Sequence, residues 1–363
     1  MATIEKSDVE NLLKQYIDPH NEVDLITAKA VKAINIENNN IEVKIELGYP
    51  AQSYLSPLKA SLEQYLTALP DVGSISVETT AKVIAHSVQK SLKPMPNIKN
   101  IIAVASGKGG VGKSTTSVNL ALALSAEGAK VGILDADIYG PSIPTMLGLS
   151  GSPDTDDGKT MLPKVAYDVE TISIGYLVEP GQAMIWRGPV VTGALQQLLN
   201  DTQWSEIDYL IIDLPPGTGD IQLTLVQQIP VSGAIIVTTP QDIALIDAQR
   251  GLAMFEKVNV PVLGLVENMS MHICSNCGHE EAIFGHGGGK LMAETNRIDF
   301  LGALPLDIHI REFADSGKPT VVADPDGRPA QIYKEIARKV AAKLALKAKD
   351  FSSRFPNIVI QNT

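Results

Sequence analysis

The run Gly107-Lys108-Gly109-Gly110-Val111-Gly112-Lys113-Ser114 carries the densest chemical signal in the chain. It fits G-x-x-x-x-G-K-[ST], in which glycines let backbone N–H groups approach phosphate oxygens without Cβ interference. Lys113 is placed to reach the β- and γ-phosphates of a nucleotide, and the Ser114 hydroxyl to ligate Mg²⁺. Two further motifs supply carboxylates. Asp213 closes the apolar run 209–212, and Asp135 and Asp137 follow the apolar run 131–134. An acid at the end of a buried strand, beside a phosphate loop, can hold Mg²⁺ directly or through water. Asp135 has the alternative of capping the turn that follows it. Asn268, in Val266-Glu267-Asn268-Met269-Ser270, offers the donor and acceptor that an adenine edge needs, against the alternative of an Asx turn.

Sulfur chemistry is confined to one place. The two cysteines, Cys274 and Cys277, form a single C-x-x-C motif. That count excludes a disulfide framework and suits a reducing, cytoplasmic compartment. One pair is half a metal site, because structural Zn²⁺ and four-iron clusters each usually take four ligands. Three completions are open. His272 and His279 can complete a mononuclear zinc site, the two thiols can form a redox disulfide, or a second chain can supply two more thiolates across a two-fold axis.

These residues need a scaffold that brings loops together. Continuously apolar runs at 101–105, 131–134, 209–212, 233–237 and 262–266 lack the alternation of half-exposed strands. Interleaved with helical spacing at 116–126 and 243–258, they predict a three-layer α/β domain with a doubly wound, mostly parallel sheet. Ligands in that architecture lie beyond the carboxyl ends of the strands, where all of the motifs fall. Before it, residues 1–90 read as a small α+β domain. Val9, Leu12, Leu13 and Tyr16 mark a helix, and runs 30–36 and 41–47 mark two strands around Asn38-Asn39-Asn40. Leu55, Leu58, Leu62, Leu66 and Leu69 give a second helix, and 74–79 a third strand. The proline-bearing stretch 91–98 is the expected linker, 99–350 the main domain and 351–363 a polar tail.

Composition narrows the classes. Among 363 residues, 30 basic against 41 acidic groups leave a formal charge of −11, which argues against a nucleic-acid partner held by a basic field. No run of 18 apolar residues occurs, and the opening residues lack a signal-peptide pattern. Ile332, Ile336, Val340 and Leu344 form an amphipathic stripe flanked by lysines and Arg338. It suits either packing on the sheet or docking on a membrane surface. Arg187 is read as a partner contact or a structural ion pair, and His20, His86 and His309 as surface or satisfied core residues.

With these motifs in place, GKGGVGKST resembles the deviant Walker A loop of the MinD/nitrogenase-iron-protein class of P-loop ATPases. That resemblance implies that Lys108 reaches the nucleotide of a partner subunit, so that ATP acts at a homodimer interface. DADIYGPS, MIWRGPVVTGALQQLL, DLPPGTGD, VTTPQDIAL, VENMS and CSNCG then match, in order over residues 98–330, the Mrp/ApbC family of ATP-dependent iron–sulfur cluster carriers. The resemblance implies Asp213 as the Walker B acid, Asp137 as the group orienting the attacking water, Thr115 within the nucleotide site and Asn268 near the base. It implies loop 215–219 as a γ-phosphate sensor. It further implies a [4Fe–4S] cluster bridging two chains through Cys274 and Cys277, received from an assembly scaffold and passed to apo iron–sulfur proteins with slow ATP hydrolysis. Neither nucleic acid nor stable membrane association is expected. A MinD/ParA-like positioning ATPase and a zinc-binding P-loop ATPase are the alternatives. The N-terminal unit is similar to the small cluster-assembly domain often fused to these carriers. It departs in having no cysteine at 48–53, which favours a docking role over a thiol role.

Overall fold

The computed structural model describes residues 4–89, 92–178, 188–274 and 276–347. Arg187, Ser275 and the tail 351–363 lie outside these residues. The N-terminal unit comprises α1 (Lys6–Leu13), β1 (Val31–Glu37), β2 (Asn40–Leu47), α2 (Gln52–Leu66) and β3 (Ile75–Ala81). Asn38 and Asn39 turn the chain between β1 and β2 at φ 50° and 60°, a conformation asparagine tolerates better than most residues. β2 pairs parallel with β3, with α2 as the crossover helix. Leu58, Leu62 and Leu66 on one face of α2 share a core with Ile41, Val43, Ile45 and Leu47, the inward positions of the alternating strand β2.

The main domain follows with β4 (Ile98–Ala105), α3 (Lys113–Ala126), β5 (Val131–Asp135), α4 (Ile143–Met146), β6 (Lys164–Ala166), β7 (Val169–Ser173) and α5 (Gly188–Asn200). It continues with β8 (Ile207–Asp213), α6 (Asp220–Gln228), β9 (Gly233–Thr238), α7 (Asp242–Lys257), β10 (Val262–Glu267), β11 (His272–Ile273) and β12 (Glu280–Glu281). The last elements are α8 (Gly288–Asn296), β13 (Phe300–Ala303), α9 (Ile308–Asp315), α10 (Thr320–Ala323) and α11 (Arg328–Ala345). The large sheet runs β13-β10-β9-β4-β8-β5-β7-β6 and is parallel except for β6. Its apolar faces feed two cores. One lies under α3 and α11, and the other under α5, α6 and α7. Fully burying a leucine is worth about 1.5–3 kcal/mol, and α3 alone buries Leu120, Leu122 and Leu124.

Strand register places the acids. Asp135 at the end of β5 lies opposite Asp213 at the end of β8, and Asp213 in turn lies opposite Val104 near the end of β4. Three chain segments therefore leave the sheet together at the edge where the P-loop begins.

One boundary needs correction. Ile98, assigned to the linker, opens β4. Residues before the linker already rest on the main domain: His86 N and Nδ1 lie 3.1 and 2.9 Å from Asn100 Oδ1, and Gln89 Nε2 donates to Val226 O at 2.9 Å. The amphipathic stripe on α11 is not presented to lipid. Ile336, Val340 and Leu344 are buried in the core shared with α3, and Ile332 packs against it. Among the described residues, no helix is long and apolar enough to cross a membrane.

Candidate nucleotide site and thiol hairpin

The P-loop joins β4 to α3, and its glycines answer to specific contacts. Gly112 sits at φ 82°, in the left-handed region, and a Cβ there would collide with Asn268 Nδ2. A Cβ on Gly107 would collide with the backbone of Asp247 in α7. Neither position tolerates a larger residue without displacing a neighbouring element.

At the start of α3, the Lys113 ammonium is 6% exposed and stands 2.8 Å from Asp213 Oδ1, 3.9 Å from Asp137 Oδ2 and 3.1 Å from Ser114 Oγ. Ser114 Oγ donates to Asp213 Oδ2 at 2.5 Å, and Ser117 Oγ donates to Asp213 Oδ1 at 2.6 Å. The buried Asp213 carboxylate is thus met by one cation and two hydroxyls. The meeting of Ser114 Oγ with a carboxylate oxygen supplies the hard oxygen donors that Mg²⁺ prefers. Ser117 was not anticipated. It lies three residues after Ser114 on the same helix, a spacing that puts both hydroxyls on one face.

Asp135 is fully buried. Its Oδ2 accepts from Ser173 Oγ at 2.9 Å and from Ile143 N at 3.3 Å, and its Oδ1 accepts from Asp137 N at 3.1 Å. It orders the turn into Asp137, which is the capping role. Burial, reinforced by the nearby Asp213 charge, pushes the Asp135 carboxyl far above the usual carboxylate range. Burial also raises Asp137; the Lys113 charge opposes that shift, and Asp213 adds to it. Lys108 is half-buried and has no ion-pair partner among the described residues. In the loop after β8, Gly217 N donates to Ser106 O at 2.9 Å, so the 215–219 segment rests directly on the P-loop.

Asn268 makes two hydrogen bonds beside the loop. Its Nδ2 donates to Val111 O at 2.9 Å, and its backbone N donates to Thr238 O at 2.7 Å. The amide therefore braces the P-loop from the end of β10. A Gly112→Ala substitution is expected to break this brace and weaken ADP binding about tenfold or more, from left-handed strain of roughly 1–2 kcal/mol plus the clash. Calorimetric ADP titration measures it. Removing the obstructing amide as well, in Gly112→Ala/Asn268→Ala, should recover part of the loss, the non-additivity expected of touching residues.

Beyond Asn268 the chain runs six residues to Cys274, stitched to the segment after β13. Ser270 N donates to Leu304 O, Leu306 N to Met271 O, and His272 Nδ1 lies 3.1 Å from Leu306 O. β11 and β12 pair His272 with Glu281 and Ile273 with Glu280, and the thiols occupy the turn between them. Cys274 N donates to His279 O and Gly278 N to Cys274 O, both at 2.9 Å, two main-chain bonds across this turn. Cys274 is half-buried and Cys277 exposed. His279 is exposed, and among the described residues no three His, Cys, Asp or Glu side chains gather at metal-binding distance.

The Cys274 thiol is held below the ordinary thiol range, first by the Asn276 backbone N–H, then by the Cys277 N–H and the Cys277 side chain. At neutral pH it should alkylate with iodoacetamide several-fold faster than in the unfolded chain, because more of it is thiolate. The rate should fall as pH drops through the lowered pKa. Mass spectrometry of time points resolves Cys274 from Cys277.

The chain is similar to known proteins. The family described as NUBPL iron-transfer P-loop NTPase, ParA, matches residues 97–341, and an iron–sulfur cluster assembly protein family matches residues 6–77. An iron–sulfur cluster carrier protein of Salmonella typhimurium is 51% identical over 337 residues, covering 93% of this chain and 91% of that protein. The mouse iron–sulfur cluster transfer protein NUBPL is 50% identical over 254 residues, covering 69% of this chain and 80% of that one. A nucleotide-binding protein from Archaeoglobus fulgidus, solved in complex with ADP, superposes with a TM-score of 0.55 at 36% identity, covering 64% of this chain and 90% of that one. A match over the whole main domain, joined by half-identical relatives spanning nine-tenths of the sequence, shows that this chain belongs to the NUBPL iron-transfer P-loop NTPase family.

Proposed function

We propose that this protein is an ATP-dependent iron–sulfur cluster carrier. Two copies hold one [4Fe–4S] cluster as cargo through Cys274 and Cys277 of each, and release it to apo iron–sulfur proteins in the cytoplasm. The observation that carries this reading is the thiol pair itself. It stands at a solvent-facing hairpin turn, its main chain already satisfied, with no further ligands gathered around it among the described residues. A pair so placed suits completion by the same pair from a second copy, giving four thiolates.

Lys113 is the cation for the β- and γ-phosphates, and the helix N-terminus with the P-loop N–H groups completes the phosphate cradle. Mg²⁺ would be held by Ser114 and Asp213, where it would neutralise phosphate charge. Asp137, beside Lys113, is placed to orient the attacking water, and Lys108 is free to reach a partner's nucleotide. In hydrolysis that water forms a bond to the γ-phosphorus as the bond to the β-phosphate oxygen breaks, leaving ADP and inorganic phosphate. Asn268 and the 215–219 loop both lean on the P-loop. Through them nucleotide turnover can alter the thiol hairpin and its grip on the cargo.

Oxygen-free preparation followed by sizing, visible absorbance and iron, sulfide and zinc analysis tests the assignment. The expected result is a brown dimer with about four iron and four sulfide per two chains. A colourless single-chain species with stoichiometric zinc overturns it.

A further inference from the structure

The P-loop helix is gripped at both ends. α3 is 14 residues long, about 21 Å at 1.5 Å per residue. Lys113 and Ser114 form its first turn, and residues 116–124 are buried. Its far end is Glu127, whose side chain is 1% exposed although ionic. Glu127 Oε2 accepts from Ser53 N at 2.9 Å, Oε1 accepts from Ser53 Oγ at 2.6 Å, and the Glu127 carbonyl accepts from Gln52 N at 3.1 Å. Gln52 and Ser53 open α2 of the N-terminal unit. The next residue, Gly128, sits at φ 94° and lets Gln52 Cβ approach to 3.7 Å of where its own Cβ would be.

Arg338 from α11 closes the clamp. Its Nη1 donates to Glu127 Oε1, its Nη2 to Glu335 Oε2 at 2.9 Å, and its Nε to His20 Nε2 at 3.0 Å. His20 Nδ1 lies 3.3 Å from both Asp18 Oδ1 and Tyr49 Oη, and Tyr49 Oη donates to Asp18 Oδ2 at 2.7 Å. Asp18, His20, Tyr49 and Glu127 are all nearly inaccessible. A seam needing only adhesion would be served as well by apolar packing, since buried ion pairs seldom add net stability. A fully satisfied polar cluster instead fixes one seating and penalises every other, because any shift strands a desolvated charge.

We propose that Glu127 is a positioning residue of the nucleotide site, through which the N-terminal unit sets the seat of α3 and hence of Lys113 and Ser114. The rigid, buried helix carries displacement from one end to the other, so phosphate binding must in turn load or relax the clamp. Linkage makes this reciprocal: the factor by which nucleotide changes the clamp is the factor by which the clamp changes nucleotide affinity. The proposal rests on nucleotide binding at the P-loop and is independent of the thiols and their cargo.

Hydrogen exchange on the full chain, with and without ADP-Mg²⁺, reads the clamp at the Gln52 and Ser53 amides. Their exchange should change about fivefold or more on saturation, and Glu127→Gln, which preserves volume and one acceptor, should change the ADP dissociation constant by a comparable factor. A purely structural role would lower the melting temperature of Glu127→Gln while leaving its ADP affinity unchanged. Normal ADP binding without a change at Gln52 and Ser53, or wild-type affinity in Glu127→Gln, overturns the proposal. A wild-type protein that binds no ADP would instead sink the nucleotide reading itself.

Discussion

Lys113→Ala is expected to cut ATP turnover by about 10²–10³-fold, the usual effect of deleting one preorganised charge donor at a transition state. It should also destabilise the protein by about 3–5 kcal/mol, because one partner of a buried pair is removed. Lys113 stands 2.8 Å from an inaccessible carboxylate on Asp213, in a register that sets Asp213 opposite the equally buried Asp135. Without the ammonium, Asp213 retains its Ser114 and Ser117 hydroxyls but loses its cation. The pH sign follows. The Asp135 carboxyl is already raised by burial and by Asp213, and Lys113 opposes that rise. A carboxyl raised on folding favours the folded state at acid pH and costs stability as pH climbs toward neutral. Both proteins lose stability alike until pH reaches the wild-type Asp135 pKa of about 7, so the deficit of Lys113→Ala should widen above pH 7. Phosphate release and melts across pH measure the two effects, and iron loading should persist because the thiol turn is closed by main-chain bonds. Turnover within tenfold of wild type would remove Lys113 from its role, and parallel loss of iron would contradict separate sites.

The parts of this molecule legible in sequence are those whose physics is local. Five buried strands announce themselves as unbroken apolar runs, and the P-loop as glycines required by close backbone approach at Gly107 and Gly112. The short strands β6, β7 and β13 escaped because three to five residues are too few to show a pattern: KVA and FLGA are mere fragments, and Glu170 and two hydroxyl residues interrupt VETIS. Contacts between distant segments were equally silent. His20 was legible only as a surface or satisfied core residue; the partner that satisfies it, Arg338, lies 318 residues away in sequence. Asn268 carried two readings, a base contact or an Asx turn, and only the fold shows its amide meeting Val111, 157 residues away. Charge pattern on α11 marked it as amphipathic without saying which surface its apolar side meets. The structure gives that side to α3 and the basic side to Glu127, Asp299 and Glu22.

The Cys274→Ser/Cys277→Ser protein should lose nearly all reconstituted iron, from about four atoms per two chains to a small residue. Its fold and its ATP turnover should stay close to wild type. Serine is close to cysteine in size and can accept from the Asn276 and Cys277 N–H groups as the Cys274 sulfur does, and the bonds from Cys274 N to His279 O and Gly278 N to Cys274 O belong to the backbone. Cys277 is exposed and Cys274 half-buried, and substitutions near the surface usually move stability by no more than about 0.5 kcal/mol. What changes is ligand chemistry. A serine hydroxyl remains protonated at neutral pH and is a hard oxygen, whereas iron–sulfur clusters are bound by soft thiolates. The lowered pKa of Cys274 makes that thiolate available, so Cys274→Ser should be the more damaging single change for the rate of loading. Either single variant leaves a symmetric pair of chains with one thiolate each, half the required set, and should fail to hold a stable four-iron cluster. Wild-type iron in the double variant would refute the ligand assignment outright. Iron retained by both single variants but not by the double would mean that one thiol per chain suffices, and the bridging geometry would have to be redrawn.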